Sequence, residues 1–352
     1  LLGLIFAKIA MILLTGATGL LGMHVLYDLT EAGHQVRALY RNDLRISRVK
    51  RLFAYYNAEN TENLWARIEW FQAELDDLVA LEEAYKDIDV VIHCAAMVSF
   101  RNDDFKKLVQ INRFSTANMV NLALKHKVRW FCHASSTAAV GKAPERDNLN
   151  ITEKSKWLED VEVSGYAMSK YLAEKEVWRG IEEGLPAAMV NPCVIFGPGD
   201  WDESSLTIFR AVHRGLKFYA PGSNAFVDVR DIAKRILFLM EEPNVNERYL
   251  IVGENLTFKR MTTAIAARLG KKAPNIAVPE WMMGLAWRLA AVFSFITRKP
   301  TALTKDAAKS AFSNTSYSTA KMDTIYPHKY ISLDNCIDNV VRYQEFQREQ
   351  KQ

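Results

Sequence analysis

An apolar run, Met11-Ile12-Leu13-Leu14, leads straight into Thr15-Gly16-Ala17-Thr18-Gly19-Leu20-Leu21-Gly22, after which residues 20–31 carry a helical apolar period. A short apolar run that ends in a glycine turn reads as a buried parallel strand. Gly33 stands where a glycine closes the helix. Strand, glycine turn and helix in that order make a seat for a phosphate. Gly16 permits the tight turn, Gly19 lets backbone approach a pyrophosphate, and Gly22 lets the helix pack closely on the sheet. The helix N-terminus adds unpaired N–H groups and a partial positive charge. A turn with a packing role alone is the competing reading; the context favours a dinucleotide.

Further strand-like runs at 35–40, 68–71, 90–94, 130–133 and 187–190 are separated by helical stretches such as 105–125 and 166–183. That alternation defines an α/β fold, a parallel sheet with helices on both faces. After Asn191 helical segments dominate (206–214, 231–241, 259–269, 280–295 and 333–349), with one clear strand at 249–252. The expected organisation is an apolar extension at 1–10 and a dinucleotide-binding domain at 11–191. Residues 192–352 then form a smaller, mostly helical substrate lobe with sheet-completing segments. The cleft between the lobes is the expected place for substrate.

Composition narrows the partners. A net charge of +4 on 352 residues, without basic blocks interleaved with aromatics, argues against nucleic acid. Cys94, Cys132, Cys193 and Cys336 are far apart and form no metal-ligand spacing, so no metal is expected. Unpaired cysteines in apolar runs point to a reducing, cytoplasmic setting. Residues 1–7 are apolar but short, with no basic residue ahead; they read as an extension upstream of Met11, with a leader as the alternative. The apolar stretch 281–296, interrupted by Arg288, falls short of the roughly 20 residues a membrane span needs. An amphipathic helix over a core or pocket is expected there.

Three Tyr-x-x-x-Lys pairs occur: Tyr166/Lys170, Tyr171/Lys175 and Tyr317/Lys321. Residues four apart share a helix face. A tyrosine can donate a proton to a carbonyl oxygen if a nearby cation lowers its pKa. Position separates the pairs. Tyr166 follows Val163-Ser164-Gly165 at a helix start, thirty residues after Ser136, which lies where the strand at 130–133 gives out. Strand ends are where open parallel sheets build sites. Tyr171 is turned by about 140° on the same helix, and Tyr317 lies outside the alternating region. The second strand ends in Tyr40-Arg41, and Arg41 with Arg45 or Arg48 suits a 2′-phosphate. NADP is therefore expected in preference to NAD.

Taken together, several motifs resemble the extended short-chain dehydrogenases/reductases. They are Thr15-Gly16-x-x-Gly19-x-x-Gly22, His93-Cys94-Ala95-Ala96, Ser135-Ser136 ahead of Gly141, Tyr166-x-x-x-Lys170, Asn191-Pro192-x-x-x-x-Gly197-Pro198, and Phe226-Val227-Asp228-Val229-Arg230-Asp231. The match runs from Met11 to about Tyr343 and is most similar to the dihydroflavonol reductase-like and hydroxysteroid dehydrogenase-like branch. It implies a Rossmann-type doubly wound parallel sheet and, as a partner, a second copy of the chain in a homodimer. The implied cofactor contacts are Gly16, Thr18, Gly19, Leu20, Leu21, Gly22, Tyr40, Arg41, Glu74, Leu75, Ala95, Ala96, Tyr166, Lys170, Pro192 and Val194. Ser136 then holds the substrate oxygen and Tyr166 is the acid/base. Lys170 binds the nicotinamide ribose and lowers the tyrosine's pKa. Asn112 matches an asparagine tied to a helix distortion and a proton relay.

Three departures bear on that picture. Glu74 replaces the family's usual aspartate near the adenine. The stretch 42–67 is longer than usual. Val140 precedes Gly141 where sugar-nucleotide epimerases carry tyrosine. Reduction of a ketone or aldehyde, or its reverse, is the leading reading. Nucleotide-sugar epimerase or dehydratase stands second, weakened because Thr137-Ala138 after Ser136 offers no acidic group and Asn191 replaces the epimerases' arginine. A non-catalytic dinucleotide sensor stands third, since the Tyr/Lys pair is intact. Phe100, Trp157, Phe196, Trp201, Phe209, Trp281 and Met282 suggest a largely hydrophobic carbonyl substrate.

Overall fold

The computed structural model describes residues 11–99, 104–141, 150–157, 163–241, 246–285, 287–288, 308 and 311–350. The extension at 1–10, Phe100 and most of the apolar stretch 281–296 lie outside the described residues.

The strands in chain order are β1 Ile12–Thr15, β2 Val36–Tyr40, β3 Ile68–Gln72, β4 Val90–His93, β5 Trp130–Ala134 and a two-residue β6, Asn150–Ile151. They continue as β7 Ala187–Pro192, β8 Val194–Phe196, β9 Phe218–Tyr219, β10 Ser223–Asp228, β11 Glu247–Ile251 and β12 Glu254–Thr257. Seven build one parallel sheet in the order β3-β2-β1-β4-β5-β7-β11. The chain winds outward from β1 through β2 and β3, then returns to β4 on β1's other side. This reversal opens a crevice beyond the carboxyl ends of β1 and β4. The pairing of Thr15 with His93 sets the glycine turn beside the loop after β4.

Alternate residues of β1 enter different cores. Ile12 and Leu14 pack with helices α1 (Leu20–Glu31) and α2 (Ile46–Asn57), while Leu13 packs with residues on the opposite sheet face. Those come from α4 (Leu78–Ala84), α6 (Ser115–Lys125) and α7 (Gly165–Glu182), which follow the short α3 (Thr61–Trp65) and α5 (Phe105–Val109). Burial on both faces is why the central strands β1, β4, β5 and β7 are mostly apolar runs.

The structure departs from sequence expectation in three places. The stretch 105–125 is not one regular helix: a π-helical turn, Gln110–Phe114, separates α5 from α6. The long stretch 42–67 forms α2 and α3, with Val49, Leu52 and Phe53 one turn apart on the buried face of α2. The C-terminal lobe holds α8 (Thr207–His213), α9 (Val229–Glu241) and α10 (Phe258–Arg268), but also a three-stranded sheet, β12-β10-β8, where one strand was expected. The strand expected at 249–252, β11, joins the main sheet beside β7. Helices α11 (Ala320–Ile325) and α12 (Leu333–Glu349) close the chain.

The extra helix α2 joins the two halves. Arg48 donates to Glu203 at 2.8 Å and lies 3.3 Å from Asp200, while Arg45 lies 3.2 Å from Glu203. Tyr55 donates to Asn339 Oδ1 at 2.7 Å and packs edge-on against Tyr343 of α12.

Candidate active site

A single cavity of about 2320 Å³ runs along the crevice from the adenosine end of the glycine turn to Tyr166. Pockets for one drug-sized ligand occupy roughly 300–1,000 Å³, so there is room here for a dinucleotide and a substrate side by side. Each residue that the sequence assigned to cofactor or catalysis lines this cavity, from Gly16 and Thr18 to Pro192 and Val194.

The glycine turn is shaped by contact. Gly16 has φ of +69°, and a Cβ there would sit 2.7 Å from the backbone nitrogen of Ala95. A Cβ on Gly22 would lie 2.0 Å from the carbonyl oxygen of Gly16, so Gly22 brings the helix onto the turn itself rather than onto the sheet. At Gly19 the one neighbour within 4 Å is the Gly16 carbonyl oxygen, 3.3 Å away. Helix α1 begins there with no side-chain cap and no acidic residue in its first turn. Amides at the head of a helix, beside backbone without side chains, suit a pyrophosphate. The residues present therefore fit a dinucleotide.

At the adenosine end, the side chain of Arg41 is 69% exposed and reaches Glu74 only at 4.0 Å. An exposed pair at that distance holds little energy, so the guanidinium is free to take a better anion. Arg45 and Arg48 are instead occupied by Asp200 and Glu203.

At the other end, Ser164 caps α7 by accepting from Ala167 N at 3.1 Å, which sets Tyr166 at the head of the helix. Ser136, just past β5, accepts from Ala138 N at 3.1 Å and shares a hydrogen bond with Tyr166. Burial pushes the Tyr166 phenol up, and the Ser136 bond works against that rise. Lys170 is brought down to about 8, chiefly by burial, with the Glu174 carboxylate opposing the fall. Its ammonium donates to the Ala134 carbonyl at 2.8 Å. Ser136 is thus a partner that lowers the phenol, while Lys170 lines the same cavity with its ammonium on the Ala134 carbonyl.

The structure adds a support the sequence did not announce. Glu174 lies one helical turn beyond Lys170 and is 1% exposed. It accepts from Asn191 Nδ2 in a very short bond and pairs with Arg248 at 3.3 Å. Asn191 also donates to the Ser136 carbonyl at 2.9 Å. This buried chain fixes the loop that carries Ser136. Its members are distant in sequence, and the motif that contains Asn191 gives no sign of Glu174 or Arg248. Asn112 sits inside the π-helical turn, where it accepts from Met97 N at 2.7 Å and donates to Ser169 Oγ at 2.9 Å. Its side chain ties the loop after β4 to α7.

The three Tyr/Lys pairs separate cleanly. Tyr166 and Lys170 both line the cavity. Tyr171 stacks on Trp157 at 4.1 Å with Lys175 over its ring, and neither lines it. Tyr317 does line it, although Lys321 turns to Glu247 at 2.6 Å. The apolar pocket wall expected from sequence is partly wrong. Phe196 and Phe209 are fully buried in the core of the C-terminal lobe, and Trp281 is 72% exposed. Trp157 and Trp201 do face the cavity, but so do Thr137, Asn224, Asn314 and Thr315. Among the described residues no group of three acidic, histidine or cysteine side chains could hold a metal, and no helix is long and apolar enough to cross a membrane.

A dinucleotide seat at a switch point, with a serine–tyrosine pair and a buried lysine in the same crevice, defines a class of NAD(P)-dependent oxidoreductases. The sequence model of the NAD dependent epimerase/dehydratase family matches residues 12–252, and the chain belongs to that family. It is 28% identical over 273 residues to sterol demethylase protein B of Methylococcus capsulatus, covering 77% of this chain and 78% of that protein. It is 28% identical to a putative dihydroflavonol 4-reductase of Synechocystis (81% and 80% covered) and 29% identical to cinnamoyl-CoA reductase 1 of Petunia hybrida (67% and 70%). Among solved structures, the UDP-glucuronic acid 4-epimerase of Bacillus cereus in complex with NAD has a TM-score of 0.70 at 17% identity, covering 96% of this chain and 99% of that one. The terminal R domain of the myxalamid pathway reaches 0.78 at 18% identity (97% and 92%). These two share the fold.

Proposed function

We propose that the protein reduces a ketone or aldehyde to an alcohol, or runs that reaction in reverse, with NADP as its preferred cofactor. One observation carries this reading: the Ser136–Tyr166 hydroxyl pair stands on the wall of the same cavity as the glycine turn. The bound cofactor supplies a hydride. Ser136 holds the carbonyl oxygen, and Tyr166 gives up its phenolic proton to that oxygen as the carbon is reduced. Lys170, still largely protonated near neutral pH with a pKa of about 8, binds the nicotinamide ribose and returns positive charge to the tyrosine's surroundings. Asn112 keeps the loop after β4 and α7 in register.

Arg41 is the residue assigned to the 2′-phosphate, because its partner is weak whereas Arg45 and Arg48 are engaged. A dehydratase is disfavoured by Thr137-Ala138, which offers no acidic proton acceptor beside Ser136, and an epimerase by Asn191 in place of arginine and Val140 in place of tyrosine. The division at 191/192 into cofactor and substrate lobes, a homodimer and a cytoplasmic location belong to the same reading.

The test is a panel of ketones and aldehydes followed by NADPH absorbance, beside UDP- and dTDP-sugars. Tyr166→Phe is expected to lower turnover by about 100-fold or more while NADPH binding stays within a factor of two or three. Loss on Tyr171→Phe instead would sink the assignment. Arg41→Ala is expected to shrink the preference for NADPH over NADH by about tenfold, the effect of one charge-assisted contact; equal affinity in the unaltered protein contradicts the NADP reading.

A further inference from the structure

The third Tyr/Lys pair has no place in the chemistry above, yet half of it reaches the cavity. Tyr317 is carried by a two-residue strand, Ser316–Tyr317, laid parallel to β6. Asn255 locks its backbone from both sides: Tyr317 N donates to Asn255 Oδ1 at 2.9 Å, and Asn255 Nδ2 donates to the Tyr317 carbonyl at 2.9 Å. The ring packs against the main core near Cys193, and the side chain borders the cavity. Its hydroxyl is hydrogen-bonded to Thr137, the residue directly after Ser136.

The chemistry of this second hydroxyl pair differs from that of the first. Lys321 is held by Glu247 at 2.6 Å and by the Arg248 carbonyl at 2.8 Å, and it lies over the Tyr249 ring. Among the described residues Tyr317 therefore has no cation of its own to help it release a proton. Burial pushes its phenol up to about 12, so it stays protonated at neutral pH. The hydrogen bond with Thr137 works against that rise. Two hydroxyls that share one hydrogen bond leave one hydrogen between them to offer to a third group. The wall on this side is polar elsewhere too, with Asn224, Asn314 and Thr315 on the cavity.

We propose that Tyr317, supported by Thr137, recognises a second oxygen on the substrate, a hydroxyl or carbonyl within a few bonds of the carbon being reduced. The substrate class is then an oxygenated ketone or aldehyde rather than a plain hydrocarbon carbonyl. Tyr317 acts in specificity and not as an acid. The inference rests on the carbonyl reduction proposed above, because it places the second oxygen relative to Ser136 and Tyr166. A buried hydroxyl that loses its partner discriminates strongly against a ligand lacking the matching oxygen.

The experiment uses matched ketones: 4-phenylbutan-2-one against 4-hydroxy-4-phenylbutan-2-one, and 1-phenylpropan-2-one against 1-hydroxy-1-phenylpropan-2-one. For each, kcat/KM with NADPH is measured, and binding to the protein with NADP⁺ is measured by calorimetry, which needs no turnover. The unaltered protein should favour at least one hydroxylated member by tenfold or more. Tyr317→Phe should reduce that preference to within about threefold while leaving the deoxy ketone unchanged, and Thr137→Val should narrow it in the same direction. No preference in either assay overturns the proposal. So does an equal loss on both members in Tyr317→Phe, which marks a packing role. A preference in binding that depends on Tyr317, with no ketone reduced, leaves the oxygen recognition standing and removes the reductase reading.

Discussion

Helices α7 and α1 each bury titratable side chains one turn apart, and they deal with them in opposite ways. On α7, Lys170 has the Ala134 carbonyl and Glu174 has both Asn191 and Arg248. On α1, His24 uses Nδ1 on the Leu20 carbonyl at 2.7 Å, but its Nε2 and the Oδ2 of Asp28 are buried with no partner among the described residues. A buried charge without a partner is costly enough that the group goes neutral instead. Burial accordingly raises Asp28 to about 7 and lowers His24 to about 4. The α7 groups are wired to the loop that carries Ser136, whereas His24 and Asp28 on α1 each leave a buried atom without a partner among the described residues.

Removing one partner from the wired side should have the largest effect. Glu174→Ala leaves Arg248 without its buried carboxylate and Asn191 with the Ser136 carbonyl as its remaining acceptor; breaking such a pair costs about 3–5 kcal/mol. Denaturant unfolding measures this directly. Glu174→Gln, which keeps an acceptor for Asn191, should fold better and lower kcat more than it raises KM. A loss below about 1 kcal/mol for the alanine variant would mean the α7 network is decoration and the contrast with α1 is false.

A smaller effect is expected on α1, and its sign depends on pH. Asp28 sits near 7 when folded against an ordinary 3.8. The folded chain therefore keeps a proton that the unfolded chain has lost, and stability falls as pH rises from about 4 to about 7. His24 sits near 4 against 6.5, so the unfolded chain takes up the proton first and stability falls as pH drops from 6.5 towards 4. The two slopes oppose each other over the same window. Asp28→Asn removes one of them. Relative to the parent, its Tm should rise by about 1–2 °C at pH 8, as about 1 kcal/mol does in a chain of this length, and should change little at pH 4. A pH-independent difference would show that Asp28 has a partner after all.

What the sequence made legible was local. The Gly16–Gly22 turn and the Tyr166/Lys170 spacing fall within one turn or one helix, so residue type and interval suffice to read them. The centre of the main sheet was legible because strands buried on both faces leave mostly apolar runs. Glu174, Asn191 and Arg248 escaped because they meet across 17 and 74 positions, and no local pattern records such a meeting. Tyr317 was set aside for lying outside the alternating region, although chain position says little about which segments return to the crevice. Phe196 and Phe209 were misplaced because an aromatic residue gives the same composition in a core as in a pocket. Strands β8, β10 and β12 carry polar residues such as Asn224 and Asn255 and are too short for a period to emerge.

The contact between Tyr55 and Asn339 spans 284 positions. Translation delivers the glycine turn early, but α2, whose Arg45, Arg48 and Arg51 border the adenosine end, cannot reach its final packing until α12 has left the ribosome. Loop closure over such a distance is a late event in folding. The cofactor seat that the glycine turn begins is thus completed late, when α2 settles against α12.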